Sequence, residues 1–411
     1  MMDQYVITGI GLYNGLGSTT NESWNNLIAG KSAVRNISWP EDDSTQFPQT
    51  YSSFKVKIAA PSSKPDDHVY PEKFRHVWQA WDKNTRASML TVEEALEDSK
   101  LKSKNLGVVS STFGGGTTLR LEMFAALNSG SKRFSPKKVL NIGLDYPAAQ
   151  ISSIYNICGP NTAMNSACST GLTSIDYAIM SLKTNKDLDG VIVNGFDHLV
   201  DPIYMYWFQC LGALSTGDTP DCNRPFDKNR NGFIMGEGAA TLIIEPYSKA
   251  IKRNAKIYGY VRSTSFYTLC ESDTSPDADG IGAKTVMANA ISKAGLRPEQ
   301  IEYINAHATS TPIGDDIEFN AAKELMPGIP IVSNKGQIGH GMAASGIVET
   351  IYTLLAMKYG RTPGNKNLVE PLGDGMILPS GPMYLDIKYA IKNSFGFGGR
   401  NASIVLERYD N

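Results

Sequence analysis

Two hydrophobic rhythms alternate along the chain. Short runs rich in β-branched and small residues fall at 5–11, 106–111, 190–194, 301–306, 329–333, 389–391 and 402–406, and they read as strands. Between them, apolar positions recur at helical spacing. Leu172, Ile175, Ile179 and Leu182 form one such stripe; others end near 94–101 and 286–296, and a last one runs on through Glu349 and Leu355. Strands alternating with helices predict α/β layers. The order helix, strand, strand–turn–helix, strand is stated once before residue 250 and once after it, so two halves are expected, 1–250 and 251–411. Residues 38–84, rich in Pro, Ser, Asp and aromatics, show no clean period and read as a cap or loop region outside the core.

The chemistry gathers at three junctions of this pattern. Cys168 lies in Thr162-Ala163-Met164-Asn165-Ser166-Ala167-Cys168-Ser169-Thr170-Gly171, where a strand turns sharply into the Leu172 stripe. Such a turn aims the sulfur at the unpaired N–H groups of the new helix, and the helix dipole is expected to bring the thiol below its free pKa of about 8.5. A lone cysteine is more often packing. Here, however, two of the chain's five histidines sit at strand ends followed by small residues: His307 in Asn305-Ala306-His307-Ala308-Thr309 and His340 in Gly339-His340-Gly341-Met342. His68, His76 and His198 have no such setting. The segment Asn393-Ser394-Phe395-Gly396-Phe397-Gly398-Gly399-Arg400 adds a glycine-rich turn whose backbone can approach a ligand closely.

With these residues in place, the sequence resembles the elongating β-ketoacyl-[acyl-carrier-protein] synthases, the class II ketosynthases with a Cys-His-His triad. The likeness runs from Tyr5-Val6-Ile7-Thr8-Gly9 through Ala213-Leu214-Ser215-Thr216, Arg224-Pro225-Phe226-Asp227 and Asn231-Gly232-Phe233 to the Phe-Gly-Phe-Gly-Gly segment. It implies a duplicated thiolase fold of five layers, α-β-α-β-α. It implies that Cys168 carries the acyl group, that its N–H and that of Phe397 form an oxyanion hole with Phe395 in the same gate, and that His307 and His340 hold the malonyl thioester. Lys335 matches the family's lysine and would orient the site through Asp315 or Glu318, with Glu349 supporting the network. Thr309 and Thr311 match positions that bond pantetheine, and Phe113 and Phe208 would line the acyl pocket, favouring short or flat, unsaturated chains. The basic cluster Lys132, Arg133, Lys137 and Lys138 would dock an acidic acyl-carrier protein. No cofactor of the enzyme's own is implied, since substrates ride on carrier phosphopantetheine. The partner is expected to be a second copy or a related ketosynthase-like subunit.

Several positions depart from the family pattern: Ala308 for a glycine, Arg400 for a threonine, Asn194-Gly195-Phe196-Asp197 for a Gly-Gly-Ala-Glu-like run, and Gly217 for an arginine. They point to a divergent member, from a specialised polyketide or polyene pathway. A non-catalytic subunit resembling a chain-length factor stays open as the alternative, although such subunits typically lose the cysteine. A thiolase would need a second cysteine as base in the C-terminal third, and the last cysteine is Cys270. Composition only narrows this picture. The formal net charge of −2 implies no global attraction to nucleic acid or membrane, and five unpaired-looking cysteines fit a reducing, cytoplasmic setting. No metal-ligand spacing, signal-peptide pattern or membrane-length apolar run is expected.

Overall fold

In the computed structural model, ten strands join in one sheet built from two five-strand halves of identical plan. The residues described are 4–37, 55–63, 70–128, 130, 136–269 and 279–410. The first half uses β1 (Tyr5–Asn14), β2 (Leu106–Ser111), β3 (Asn161–Met164), β4 (Gly190–Asp197) and β5 (Gly238–Pro246) in the spatial order β3-β2-β4-β5-β1. The second uses β6 (Gly259–Thr268), β7 (Tyr303–Asn305), β8 (Ile331–Val332), β9 (Tyr389–Gly396) and β10 (Arg400–Arg408) in the order β8-β7-β9-β10-β6. In each half the third strand is at the edge, beside the second, fourth, fifth and first. The second strand pairs in parallel with both neighbours, and the remaining pairs are antiparallel. The halves meet where β1 pairs with β6 over Tyr5–Val261, Val6–Tyr260 and Ile7–Gly259.

Helices fill the remaining layers. Lys83–Ser99 covers the outer face of the first half, and Ile281–Lys293 with Pro312–Leu325 covers the outer face of the second. Between the half-sheets lie Thr170–Thr184 and Ser345–Tyr359, each touching strands of both halves. This is the five-layer thiolase architecture. Strands covered on both faces lose the polar alternation of a one-sided sheet, which explains why β4 is buried at every position. A helix sandwiched between two sheets has no solvent face either: Ser345 to Met357 are all buried, Glu349 among them.

The two central helices cross at their N-terminal ends through glycine. A Cβ on Gly171 would meet the Ile347 nitrogen at 2.9 Å and the Gly346 Cα at 3.0 Å; one on Gly346 would meet the Leu172 nitrogen at 3.1 Å. Backbone is therefore in contact with backbone, and neither side can give way. The first turns of both helices are held side by side as a consequence.

One expectation needs correcting. The aromatic part of the region read as a cap is core: Phe74, Trp78 and Trp81 are buried against Met89, Val92 and Ile151. It escaped periodicity because it folds as two single 3-10 turns, Glu72–Phe74 and Trp78–Ala80, too short to show a repeat. Residues 38–54 and 64–69 lie outside the described residues. The helix expected to end near 94–101 ends at Ser99 and starts at Lys83, where the Asp82 side chain accepts the Thr85 N–H at 2.8 Å. No helix among the described residues is long and apolar enough to cross a membrane.

Gly171→Ala should destabilise the protein by about 1–3 kcal/mol through overpacking at the helix crossing. Gly381→Ala, at a position with open space around it, should leave the melting temperature unchanged. Differential scanning calorimetry of the two variants decides this; equal melting temperatures would show that the crossing is not rigid.

Candidate active site

Cys168 sits between the end of β3 and the Thr170–Thr184 helix, on a turn that the backbone has to strain to make. Ala167, just before it, has φ of +53°, in the left-handed region that costs a non-glycine residue about 1–2 kcal/mol. Local hydrogen bonds hold the turn. Asn165 Oδ1 accepts the Ala167 N–H at 3.0 Å, and Thr170 Oγ1 accepts the Ser166 N–H at 2.8 Å while donating to the Ala167 carbonyl. Gly396, at the end of β9, lies against this turn: a Cβ there would meet the Cys168 nitrogen at 3.2 Å. The Phe397 N–H is thereby brought to the sulfur.

His340 is bracketed by backbone on both sides, donating its N–H to the Ile234 carbonyl at 2.7 Å and accepting the Gly236 N–H at 2.9 Å. Its ring Nε2 lies 3.0 Å from Cys168 Sγ, and its Nδ1 lies 3.1 Å from Ser345 Oγ. Ser345 Oγ already accepts the Gly341 N–H at 2.9 Å, which leaves its own hydrogen for Nδ1. With the Ser345 hydroxyl donating to Nδ1, the ring hydrogen sits on Nε2 and is aimed at the sulfur. His307 follows β7, and its position is fixed from behind by Glu318, whose two oxygens accept the N–H groups of His307 at 2.9 Å and Ala308 at 2.7 Å. The two imidazoles stand nearly perpendicular, 82° apart, with centroids 5.3 Å apart. Cys168, His307 and His340 offer their sulfur and nitrogen atoms within 4.8 Å of one another.

Burial governs the electrostatics. It pushes both imidazoles well below the usual histidine pKa, reinforced by the positive charge of Lys335, so they stand as neutral N–H donors. It also pushes the Cys168 thiol up to about 12, against the opposing pull of Lys335, the Phe397 N–H and its own N–H. This reverses the expectation from the helix dipole, because a fully buried sulfur loses more hydration than the helix end restores. Sulfur and two imidazoles are also the donors a metal would use. Two buried ammonium groups nearby, Lys335 and Lys392, oppose a divalent cation there.

Other predicted positions sort as follows. Lys335 does not act through Asp315 or Glu318: its ammonium bonds Glu349 Oε1, because both side chains come from elements facing the closed middle layer. Asp315 instead accepts the Phe226 N–H at 2.9 Å, with Arg230 3.9 Å away, and burial pushes its carboxyl up to about 7. Thr309 and Thr311 bond each other at 3.1 Å. Phe395 stacks at an angle 6.0 Å from the His307 ring. Phe113, Phe208 and Phe397 share one apolar cluster with Cys168, and ring contacts step from Phe113 to Phe208 (5.8 Å), Phe233 (5.6 Å) and His340 (5.5 Å). Lys132 and Arg133 lie outside the described residues, and Lys137 and Lys138 belong to the Pro136–Ile142 turn.

Three contributors were not anticipated. Ser345 bonds His340 Nδ1 at 3.1 Å and holds the ring in place. Asp197, in the run noted as a departure, is buried and accepts Thr112 Oγ1 at 2.9 Å and the N–H groups of Phe113, Gly114 and Ala343 at 3.0, 3.1 and 2.9 Å. It ties the Phe113 loop to the segment after His340. Lys392 is the third; its trace in the sequence was a lysine directly after the strand run Tyr389-Ala390-Ile391.

Comparison with known proteins agrees with this geometry. Residues 2–250 match the model of the "Beta-ketoacyl synthase, N-terminal domain", and residues 258–369 match that of the "Beta-ketoacyl synthase, C-terminal domain". The chain belongs to the β-ketoacyl synthase family. It is 34% identical over 422 residues to a 3-oxoacyl-[acyl-carrier-protein] synthase 2 of Coxiella burnetii, covering 98% of each chain. Among solved structures it is similar to a β-ketoacyl synthase from Burkholderia phymatum, at 28% identity and a TM-score of 0.82 over the whole of both chains. It is similar also to the ishigamide ketosynthase/chain length factor, at 25% identity and a TM-score of 0.84 over 99% of this chain and 100% of that one. The chain is thus a condensing enzyme of the acyltransferase type.

A thiol lifted to about 12 has a thiolate fraction that rises about tenfold per pH unit throughout the range below it. Iodoacetamide should therefore alkylate Cys168 of the free ketosynthase at a rate still climbing at pH 9, followed by peptide mass spectrometry. A plateau below pH 8 would reveal a preformed thiolate.

Proposed function

We propose that this ketosynthase performs decarboxylative Claisen condensation on carrier-bound thioesters, with Cys168 as nucleophile and His307 and His340 as paired oxyanion donors. In the first stage the sulfur attacks the carbonyl carbon of an acyl thioester. The new S–C bond forms as pantetheine sulfur leaves with the cysteine proton, and the tetrahedral oxyanion falls between the N–H groups of Cys168 and Phe397. In the second stage a malonyl thioester loses CO₂. The released electron pair passes to the thioester oxygen as an enolate, which accepts the N–H groups of His307 and His340. The enolate carbon then attacks the acyl-cysteine carbonyl, the C–S bond breaks with its electron pair on the Cys168 sulfur, which takes a proton from solvent to restore the thiol, and a β-ketoacyl thioester departs. The observation that carries this reading is the pair of neutral, perpendicular imidazoles converging on a buried sulfur. A chain-length-factor-like role finds no support in a site with all three groups assembled.

The aromatic steps from Phe113 through Phe208 to Phe233 favour a short or flat, unsaturated acyl chain. Each methylene excluded by a ring forfeits about 0.8 kcal/mol of burial. Acyl-carrier protein is the partner that delivers both substrates, and the basic segment Lys132, Arg133, Lys137 and Lys138 is its docking site. A homodimer is the proposed assembly. Among the described residues the edge strand β3 has no strand partner on its outer side, and Met180 and Trp207 are exposed large apolar side chains. An obligate interface of this kind buries above about 2,000 Å². Light scattering at micromolar concentration should give a dimer, and a monomer would overturn that assembly.

Intact-protein mass spectrometry with acyl-carrier proteins bearing chains of two to sixteen carbons tests the mechanism. Cys168→Ala should accept no acyl group. His307→Ala and His340→Ala should still load but should lose malonyl decarboxylation by about 10²–10³-fold, as for one missing oxyanion donor. Parent-rate CO₂ release by either variant would remove that histidine from the role, and equal loading of the two-carbon and sixteen-carbon chains would refute the aromatic selectivity.

A further inference from the structure

Behind the two imidazoles lies a closed electrostatic relay that the condensation chemistry described above does not use in full. Glu349, from the central Ser345–Tyr359 helix, is shared by two lysines. Lys335 bonds its Oε1, and Lys392, from β9, lies 2.8 Å from its Oε2 and donates to the Asn393 carbonyl. None of the three side chains exceeds 1% exposure. One lysine would neutralise one glutamate. Dehydrating a second ammonium is costly, and the half-share of a carboxylate does not return that cost in full. A second buried cation on one carboxylate therefore calls for a role beyond holding the fold together.

We propose that Lys392 is a second positioning cation of the ketosynthase site, which keeps His307 and His340 uncharged as hydrogen-bond donors and favours the negative charge that develops on the malonyl-derived enolate. The inference rests on the condensation reading given above. Its physical basis is that both lysines are paired to the single Glu349 carboxylate, while Glu318, the other carboxylate facing Lys392, already accepts the N–H groups of His307, Ala308 and Asn393, so the Lys392 charge is only partly compensated inside a fully buried layer. Both imidazoles feel the Lys392 charge as well as that of Lys335. The groups facing Lys392 are Glu349 from the central helix, Lys335 from the short Lys335–Ile338 helix and Glu318 from the Pro312–Leu325 helix; Tyr303 on β7 faces Glu349. Glu318 is itself tied to Asn393, the residue after Lys392, whose Nδ2 donates to it at 2.9 Å. The same Glu318 holds the backbone of His307, so Lys392 and His307 are linked through one carboxylate. Burial brings the Lys392 ammonium down to about 8, so at neutral pH it is still charged, and it loses its proton as the pH rises past that point.

The experiment is the pH profile of CO₂ release from malonyl-carrier protein by the parent enzyme, Lys392→Met and Lys392→Gln, with acyl loading of Cys168 followed on the same samples. In the parent, the acid limb should lie well below pH 6.5 and the rate should fall above about pH 8. In the two neutral variants the acid limb should move up by about one pH unit, the alkaline fall should vanish, and kcat should drop on the order of tenfold with little change in KM. Acyl loading should continue at the parent rate. A structural role alone would lower the melting temperature and leave both limbs in place, which would overturn the proposal. Failure of both neutral variants to fold would do the same, by assigning the lysine to stability. Loss of acyl loading in the parent enzyme itself would instead refute the condensation reading on which the proposal stands.

Discussion

The structure depends on the backbone contact between the two central helices at Gly171 and Gly346. Each helix belongs to one copy of the duplicated half, and each starts next to a reactive side chain: Cys168 precedes one, His340 and Ser345 lead into the other. Because no side chain intervenes, the two helix starts approach as closely as backbone allows. The sulfur and the imidazole are thereby placed within hydrogen-bond distance although 172 residues separate them. Everything else in the site is arranged around that fixed pair. Gly396 presses on the cysteine turn from one side, and the Ile234–Gly236 backbone brackets His340 from the other.

Closing helices between two sheets also excludes water from the site, and the chemistry follows from that exclusion. Dry surroundings raise the thiol and lower the imidazoles. At neutral pH all three groups are thus uncharged before substrate arrives. This suits an enzyme whose intermediates carry negative charge: neutral N–H donors accept a developing oxyanion without first having to lose a proton. The cost is a cysteine that is not ionised in advance. In the proposed mechanism the incoming thioester is accordingly attacked as the proton passes to the departing pantetheine sulfur. The two buried ammonium groups, Lys335 and Lys392, are both paired to Glu349.

Much of this was legible in the chain, and the reasons are local. The strand–turn–helix around Cys168, the glycine before His340 and the run through Phe397 each leave a sequence mark, because sharp turns need particular small residues. The strands at 106–111 and 190–194 were readable from short runs of small and β-branched residues, which suit burial on both faces. The 3-10 turns that bury Phe74, Trp78 and Trp81 were not, since a single turn has no period. The partner of Lys335 was also misread. Sequence proximity to His307 suggested Asp315 or Glu318, whereas the contact is made across the middle layer to Glu349.

The sequence by itself determined the reactive groups, the α/β grammar and the repetition of one plan in two halves, since these rest on residue type and short-range spacing. Only the tertiary structure decided which charges meet and which groups are ionised. Those outcomes depend on burial and on contacts between residues far apart in the chain, such as Glu349 with Lys392 and Glu318 with His307. A helix dipole can be read from a few neighbouring residues, but the desolvation that outweighs it at Cys168 is set by the whole of the surrounding fold.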